Sequence, residues 1–272
     1  MPVGDRPRQR PPTAGAGQAV DDGRWLQRNR VPLGYASAMH DNNDDRPGPM
    51  RALLVHGAGG GAWEWGIWQQ VFTAHGIASE AIDLQPVGAG ITATHLHDYV
   101  QQVRNARAHI DGRCALVGAS LGGLLAALCA DAADALVLVN PLPPAPWAAQ
   151  LPGRTWPDVV RWGRDARLQS TLASMPDADA ASVMHAFRHW RDESGAVLRE
   201  AHAGVVVERP RCPVLCVVSA SDDDVPPAIT EALAHEWQAS LQRTACASHV
   251  GPLLGRDAAS VALDVTRWLS GR

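Results

Sequence analysis

Short apolar runs alternate with longer segments of mixed polarity along most of this chain. Runs of about four to eight apolar or β-branched residues are typical of buried strands, and the segments between them are long enough for helices. This alternation predicts an α/β fold in which a mostly parallel central sheet is covered by helices on both faces. The predicted strands lie at 51–55, 78–83, 114–117, 135–139, 213–218 and 240–246.

Composition and prolines divide the chain into predicted parts. Residues 1–24 are rich in Arg, Pro and Gly, which predicts a disordered tail before an α/β domain at 25–272. Within that domain, 31–39 is predicted to add an antiparallel edge strand. The segment Asn140–Pro146 has four prolines in seven residues and cannot continue a helix. We therefore expect a helical cap inserted between two strands at about 141–205.

A Gly-x-Ser-x-Gly sequence links the predicted strand at 114–117 to a predicted helix at 124–130. A serine on a sharp strand-to-helix turn needs small neighbours two positions before and after it, and Gly118 and Gly122 meet this need. The pattern predicts that Ser120 is a catalytic nucleophile. The alternative is a Gly-rich turn without a catalytic role.

A serine nucleophile requires a base and an acid that orients the base. The strand at 213–218 ends in a cluster of three aspartates, Asp222, Asp223 and Asp224, and His249 follows the strand at 240–246. The order serine, acid, histidine is the one used at this edge of α/β sheets. We predict His249 as the general base and one carboxylate of the cluster as its partner.

The loop His56-Gly57-Ala58-Gly59-Gly60-Gly61 follows the first predicted strand. With the residue after the nucleophile, such a loop supplies backbone donors to an oxyanion, and we assign them to the amides of Ala58 and Leu121. A phosphate-binding loop is disfavoured because no Lys-Ser/Thr follows at the required spacing. His56 precedes the serine and is predicted to shape the loop.

Taken in order, these blocks resemble the α/β-hydrolases, and within them the plant methylesterase and hydroxynitrile-lyase branch with its bacterial esterase relatives. The likeness rests on the segments 56–58, 61–65, 81–84, 116–123, 222–226 and 248–249. It implies an esterase that uses neither a cofactor nor a metal. It also implies Asp222 as the acid, three residues before Val225-Pro226, although a shift by one residue to Asp223 or Asp224 stays open.

Two departures from that branch bear on the reaction. Hydroxynitrile lyases resemble these esterases but have Thr just after the loop histidine and Lys just after the catalytic histidine. This chain has Gly57 and Val250 at those positions, which disfavours the lyase. Haloalkane dehalogenases and epoxide hydrolases need an acidic nucleophile, which Ser120 is not.

Tryptophans offer candidates for a substrate wall. Trp63 follows the oxyanion loop, and Trp147 and Trp162 lie in the predicted cap. We predict that these three contact an apolar part of the substrate. The alternative is that the aromatic residues only bury the cap against the core.

Composition narrows the partners. A formal net charge of -4 gives no reason to expect nucleic acid or an anionic membrane. Five scattered cysteines suggest reduced core thiols, and with no apolar signal segment they predict a cytoplasmic protein. We expect a serine hydrolase that cleaves a small to medium carboxylic ester with an apolar portion. A lyase or C–C bond hydrolase with the same triad, and a ligand-binding protein on this scaffold, remain alternatives; the sequence sets no oligomeric state.

Overall fold

The computed structural model describes residues 48–272, so the predicted tail at 1–24 and edge strand at 31–39 lie outside the described residues. Its strands are β1 (Arg51–Val55), β2 (Ser79–Ile82), β3 (Cys114–Ala119), β4 (Ala135–Val139), β5 (Val159–Val160), β6 (Glu193–Ser194), β7 (Val214–Ser219) and β8 (Ser240–Thr244). Six of them form one parallel sheet in the order β2-β1-β3-β4-β7-β8. This confirms the predicted α/β class.

Helices cover the two faces of this sheet. They are α1 (Gly66–Ala74), α2 (Leu96–Ala108), α3 (Leu121–Leu128), α4 (Leu168–Ser174), α5 (Ala180–His189), α6 (Gly195–Ala203), α7 (Pro227–Glu236), α8 (Gly251–Leu254) and α9 (Ala258–Ser270). The helix predicted at 124–130 begins earlier, at Leu121. Its two glycines lie in the first turn, where a Cβ at Gly122 would collide with the carbonyl of Val55 and one at Gly123 with Pro141.

Each central strand is buried on both sides. Leu53 and Leu116 face one apolar cluster with α2, α3 and α7, whereas Leu54 and Val117 face a second cluster with α1 and α9. Successive side chains of a strand point to opposite faces, so a continuous apolar run supplies both clusters. Burial of each leucine stabilises the fold by about 1.5–3 kcal/mol.

Residues 140–213 leave the sheet after β4 and return at β7, and we call this segment the insertion. It contains α4, α5 and α6, and also the antiparallel pair β5–β6 and a 3-10 turn at Trp147–Gln150. The insertion therefore includes strand pairing besides the expected helices. No helix within residues 48–272 has both the length and the apolar character required to cross a membrane.

The first turn of α3 allows a stability test. A Cβ at Gly122 would lie 2.2 Å from the carbonyl oxygen of Val55 and 2.4 Å from that of His56. We expect Gly122→Ala to lower the free energy of unfolding by about 1–3 kcal/mol, because backbone atoms must move apart. Urea denaturation measures the change.

Gly66→Ala is the matched control. Gly66 is also in the first turn of a helix, and its Cβ would meet nothing within 4 Å. This variant should keep or slightly raise the unfolding free energy. Equal losses in both variants would contradict the close contact as the cause.

Candidate active site

Ser120 occupies the turn between β3 and α3 with φ 53° and ψ −120°. This left-handed backbone conformation is strained for a residue with a side chain. The turn is held by its own N–H, which donates to the Val139 carbonyl at 3.0 Å, and by its carbonyl, which accepts from Leu142 N at 2.9 Å. The turn held in this way places Ser120 at the lining of a cavity beyond the carboxyl end of the sheet.

His249 pairs with Asp222, at the ends of the two neighbouring strands β8 and β7. The His249 Nδ1 and Asp222 Oδ2 atoms are 2.7 Å apart, and Asp222 Oδ1 accepts the N–H groups of Asp224 and Val225, both at 2.9 Å. Asp224 instead pairs with Arg154. Of the three aspartates, Asp222 is thus the one that contacts the histidine.

The His249 ring lies at the same cavity as Ser120, without a direct hydrogen bond between the two side chains. Burial lowers the pKa of His249, but the hydrogen bond and charge of Asp222, with the charge of Asp224, raise it more. The net result is a pKa above the ordinary histidine value. The ring is oriented by Asp222 so that Nε2 is left to exchange a proton.

Two polar residues at the ends of β4 and β7 support the histidine loop. Asn140 Nδ2 donates to the His249 carbonyl at 2.7 Å and to Ser219 Oγ at 2.8 Å. Ser219 Oγ donates to the Ser248 carbonyl at 2.9 Å. These bonds connect the backbone on either side of the ring to the sheet.

The insertion supports the same loop from the other side. The Asp177 carboxylate accepts the Ala247 N–H at 2.8 Å and the Ser248 hydroxyl at 2.7 Å, and its carbonyl accepts the Arg256 N–H at 3.0 Å. The loop that carries His249 is therefore held between the sheet and the insertion.

The loop after β1 brings Gly57 and Ala58 to the lining of the cavity. Gly57 N donates to Glu64 Oε2 at 3.4 Å and Gly59 N donates to Glu193 Oε2 at 3.1 Å. The N–H of Ala58, between them, donates no hydrogen bond within the part of the chain that is described, and neither does that of Leu121. Neither N–H has an acceptor within residues 48–272, as the predicted role of an oxyanion donor requires.

His56 is fully engaged at the base of this loop. Its Nε2 accepts the Leu84 N–H at 3.0 Å, so Nδ1 carries the proton and donates to the Gly57 carbonyl at 2.7 Å. Burial lowers the pKa of His56 to about 4. The neutral ring fixes the loop to the end of β2.

The cavity has a volume of about 570 Å³. Trp156, Trp162 and Trp190 from the insertion line it, as do Leu142 and Leu253. This wall can contact an apolar group.

Two of the three predicted wall residues do not line the cavity. Trp162 does, but Trp63 packs against His185, His189 and Trp190, and Trp147 packs against the core. The structure therefore places Trp63 and Trp147 away from the cavity whose wall they were predicted to form. Sequence position does not reveal which face of a short turn a tryptophan occupies.

One cluster of side chains at the candidate site has the spacing of cation ligands. Among residues 48–272, the group whose ligand atoms lie within 4.8 Å of one another is Asp222, Asp224 and His249. Asp222 is bound to His249 and Asp224 to Arg154. The donor set is thus used within the protein and favours an ion-pair network over a metal.

Several site residues escaped the sequence analysis. Asn140 and Ser219 had one signal, because each is a polar residue at the end of a buried strand. Asp177 and Glu193 had none, and Glu64 lies in the segment 61–65 that carries the family likeness but had no signal of its own, because their partners are set by the tertiary structure.

Comparisons with known proteins agree with this architecture. Residues 52–263 match the family described as the alpha/beta hydrolase family. None of the curated proteins matches this chain in sequence.

Solved structures with the same fold include enzymes that act on esters. Polyneuridine aldehyde esterase is 18% identical with a TM-score of 0.64, covering 80% of this chain and 100% of its own. A methylesterase from Arabidopsis is 15% identical with a TM-score of 0.65, covering 82% and 100%. A pyrethroid hydrolase from Sphingobium faniae is 18% identical with a TM-score of 0.64, covering 82% and 98%.

The contact between Asp222 and His249 predicts a shift in the histidine pKa. Asp222→Asn removes the charge and the hydrogen bond that raise it, so the pKa of His249 should fall. NMR titration of the ring nitrogens measures this pKa. Asp223→Asn, at an exposed neighbour, should change the pKa far less, and a larger fall there than in Asp222→Asn would contradict the pairing.

Proposed function

Because the chain belongs to the alpha/beta hydrolase family, we propose that it is a serine hydrolase that cleaves a small to medium carboxylic ester with an apolar portion. The observation that carries the proposal is the strained Ser120 turn at one cavity with the His249–Asp222 pair. Ester chemistry in the structural neighbours adds support, as does the tryptophan wall.

In the proposed reaction, Ser120 Oγ attacks the ester carbonyl carbon and His249 Nε2 takes the hydroxyl proton. The carbonyl oxygen becomes an anion held by the amides of Ala58 and Leu121. The C–O bond then breaks, and the protonated His249 gives its proton to the departing alcohol. Asp222 holds the ring and stabilises its positive charge in both steps.

The second half of the reaction repeats the first with water. His249 removes a proton from water, which attacks the acyl carbon bound to Ser120. Breakage of the acyl–Ser120 bond returns the proton to Ser120 Oγ and releases the carboxylic acid. The balance needs one water and no other reactant.

Covalent labelling tests the nucleophile. A fluorophosphonate probe should add once to the wild type and not to Ser120→Ala, as measured by intact-protein mass spectrometry. Ser170→Ala, which removes another serine at the cavity, should keep the adduct. Ester turnover in Ser120→Ala should fall by about 10³-fold or more.

Other labelling results would separate the alternatives. A folded wild type that takes no label and binds a ligand without turnover would favour the binding protein. A wild type that cleaves a C–C bond without forming an acyl adduct at Ser120 would favour the lyase or C–C hydrolase.

The acid has its own prediction. Asp222→Asn should lower kcat by about 10³- to 10⁴-fold, because the imidazole then adopts the wrong tautomer. Asp223→Asn should stay within about threefold of the wild type, as expected for an exposed carboxylate. Steady-state kinetics on one ester measures both, and the reverse ranking would assign the acid to Asp223.

A further inference from the structure

Glu64 is a buried carboxyl group at the cavity that the proposed reaction does not use. It lies in the 3-10 turn Ala62–Trp65 after the oxyanion loop and is 4% exposed. Its side chain lines the cavity together with Gly57, Ala58, Ser120 and His249. A buried acid beside the reacting atoms calls for an explanation.

The hydrogen bonding of Glu64 is incomplete. Its Oε2 accepts one long hydrogen bond, from Gly57 N at 3.4 Å. The Gly61 N–H also lowers the pKa of Glu64, but less than the Gly57 N–H does. No cation within residues 48–272 forms an ion pair with it. The carboxyl group has acceptor sites left for a partner in the cavity.

Glu193, the second buried carboxyl group on this loop, provides the contrast. It accepts the Gly59 N–H at 3.1 Å, the Tyr99 hydroxyl at 2.8 Å and the Ser194 N–H at 2.8 Å. It does not line the cavity. Glu193 has the bonding expected of a structural carboxylate, and Glu64 does not.

The oxyanion loop lies directly on the Glu64 carboxyl group. A Cβ at Gly60 would be 2.3 Å from Oε2 and 2.5 Å from Oε1, so glycine at this position permits the contact. Ala58, which supplies an oxyanion donor, belongs to the same loop. A substrate group that meets Glu64 must therefore be close to the carbonyl carbon.

Ester chemistry indicates which half of the substrate meets Glu64. A hydroxyl group on the alkoxy carbon would make the ester an unstable hemiacetal derivative. In a stable ester, the hydroxyl group that lies nearest to the carbonyl carbon is therefore the one on the adjacent acyl carbon.

The protonation state suits a hydroxyl partner. Burial raises the pKa of Glu64 to about 8, although the Gly57 N–H, the charge of His249 from the β8–α8 loop and that of Arg191 from the insertion act in the opposite direction. At pH 7 the group is mainly a neutral acid that both donates and accepts. A hydroxyl group can satisfy both functions.

We propose that Glu64 is a specificity-determining residue that hydrogen-bonds a hydroxyl group on the acyl carbon next to the scissile carbonyl, so that the enzyme prefers esters of 2-hydroxy acids. This proposal rests on the proposed function of the same site. A plain alkyl acyl group leaves the buried carboxyl group without a partner, which we expect to cost about 10- to 100-fold in kcat/KM.

The test compares methyl 2-hydroxybutanoate, each enantiomer separately, with methyl butanoate at pH 7 in a pH-stat. The hydroxyl group changes the intrinsic reactivity of the ester, but this difference is the same for every variant and cancels in a comparison of ratios. For one enantiomer, the ratio of kcat/KM values should fall by about 10-fold or more from the wild type to Glu64→Met. Glu64→Gln, which keeps a donor and an acceptor, should retain most of the ratio.

Glu193→Gln is the matched control, because it changes the other buried carboxyl group of this loop. It should affect both esters by the same factor. If Glu64→Met does not fold by circular dichroism, Glu64→Ala removes the carboxyl group without adding bulk and gives the same comparison.

Three results would overturn the proposal. An unchanged ratio in Glu64→Met or Glu64→Ala, with hydrolysis of both esters retained, assigns Glu64 a structural role and leaves the proposed function intact. An equal fall in the ratio for Glu193→Gln attributes the effect to the loop as a whole. A wild type that hydrolyses neither ester and takes no fluorophosphonate label rejects the proposed function and this inference together.

Discussion

The contact between helix α3 and the end of strand β1 is the constraint on which the candidate site depends. Gly122 brings the first turn of α3 against the carbonyl groups of Val55 and His56, leaving no room for a side chain. This contact sets where the helix can start and so compels Ser120 to take its left-handed conformation. Leu121, whose amide is the second proposed oxyanion donor, is the first residue of the same helix. The candidate nucleophile and this proposed donor thus depend on one packing interaction.

The remaining groups are positioned by hydrogen bonds whose partners lie far apart in sequence. His249 is oriented by Asp222 through one ring nitrogen and is carried on a loop bound by Asn140 and Asp177. Loss of one of these buried hydrogen bonds would destabilise the fold, because a polar group that is buried without a partner raises the free energy of the folded state. The site is therefore preorganised by groups that do not take part in the reaction, which lowers the cost of ordering it when substrate binds.

The sequence predicted the fold class correctly, and the structure brings the proposed nucleophile and base to one cavity, whereas their surroundings were less predictable. Ser120 was recognisable because its neighbours are local, and His249 because it follows a strand in the expected order. For the acid, the sequence left three consecutive aspartates as candidates. Only the backbone turn, which directs Asp222 to His249, distinguishes Asp222 from Asp224. Asp177 and Glu193 gave no signal, since their partners lie 70 and 134 residues away. Trp63 and Trp147 were predicted to form part of the wall but do not line the cavity, because side-chain direction in short turns is set by tertiary packing.

The insertion is attached to the loops of the candidate site through Asp177 to the histidine loop, through Glu193 and Arg191 to the oxyanion loop, and through Arg154 to Asp224. If the whole insertion swung away, these attachments would break and the candidate site would come apart. Movement of the stretch before Asp177 alone, which carries Trp156 and Trp162, would break the Arg154–Asp224 ion pair but leave the attachments of Asp177 and Glu193 in place. An exchange of caps between related enzymes would need to preserve the two carboxylates, whereas the tryptophan stretch between β4 and Asp177 is free to diverge and adapt the enzyme to new substrates.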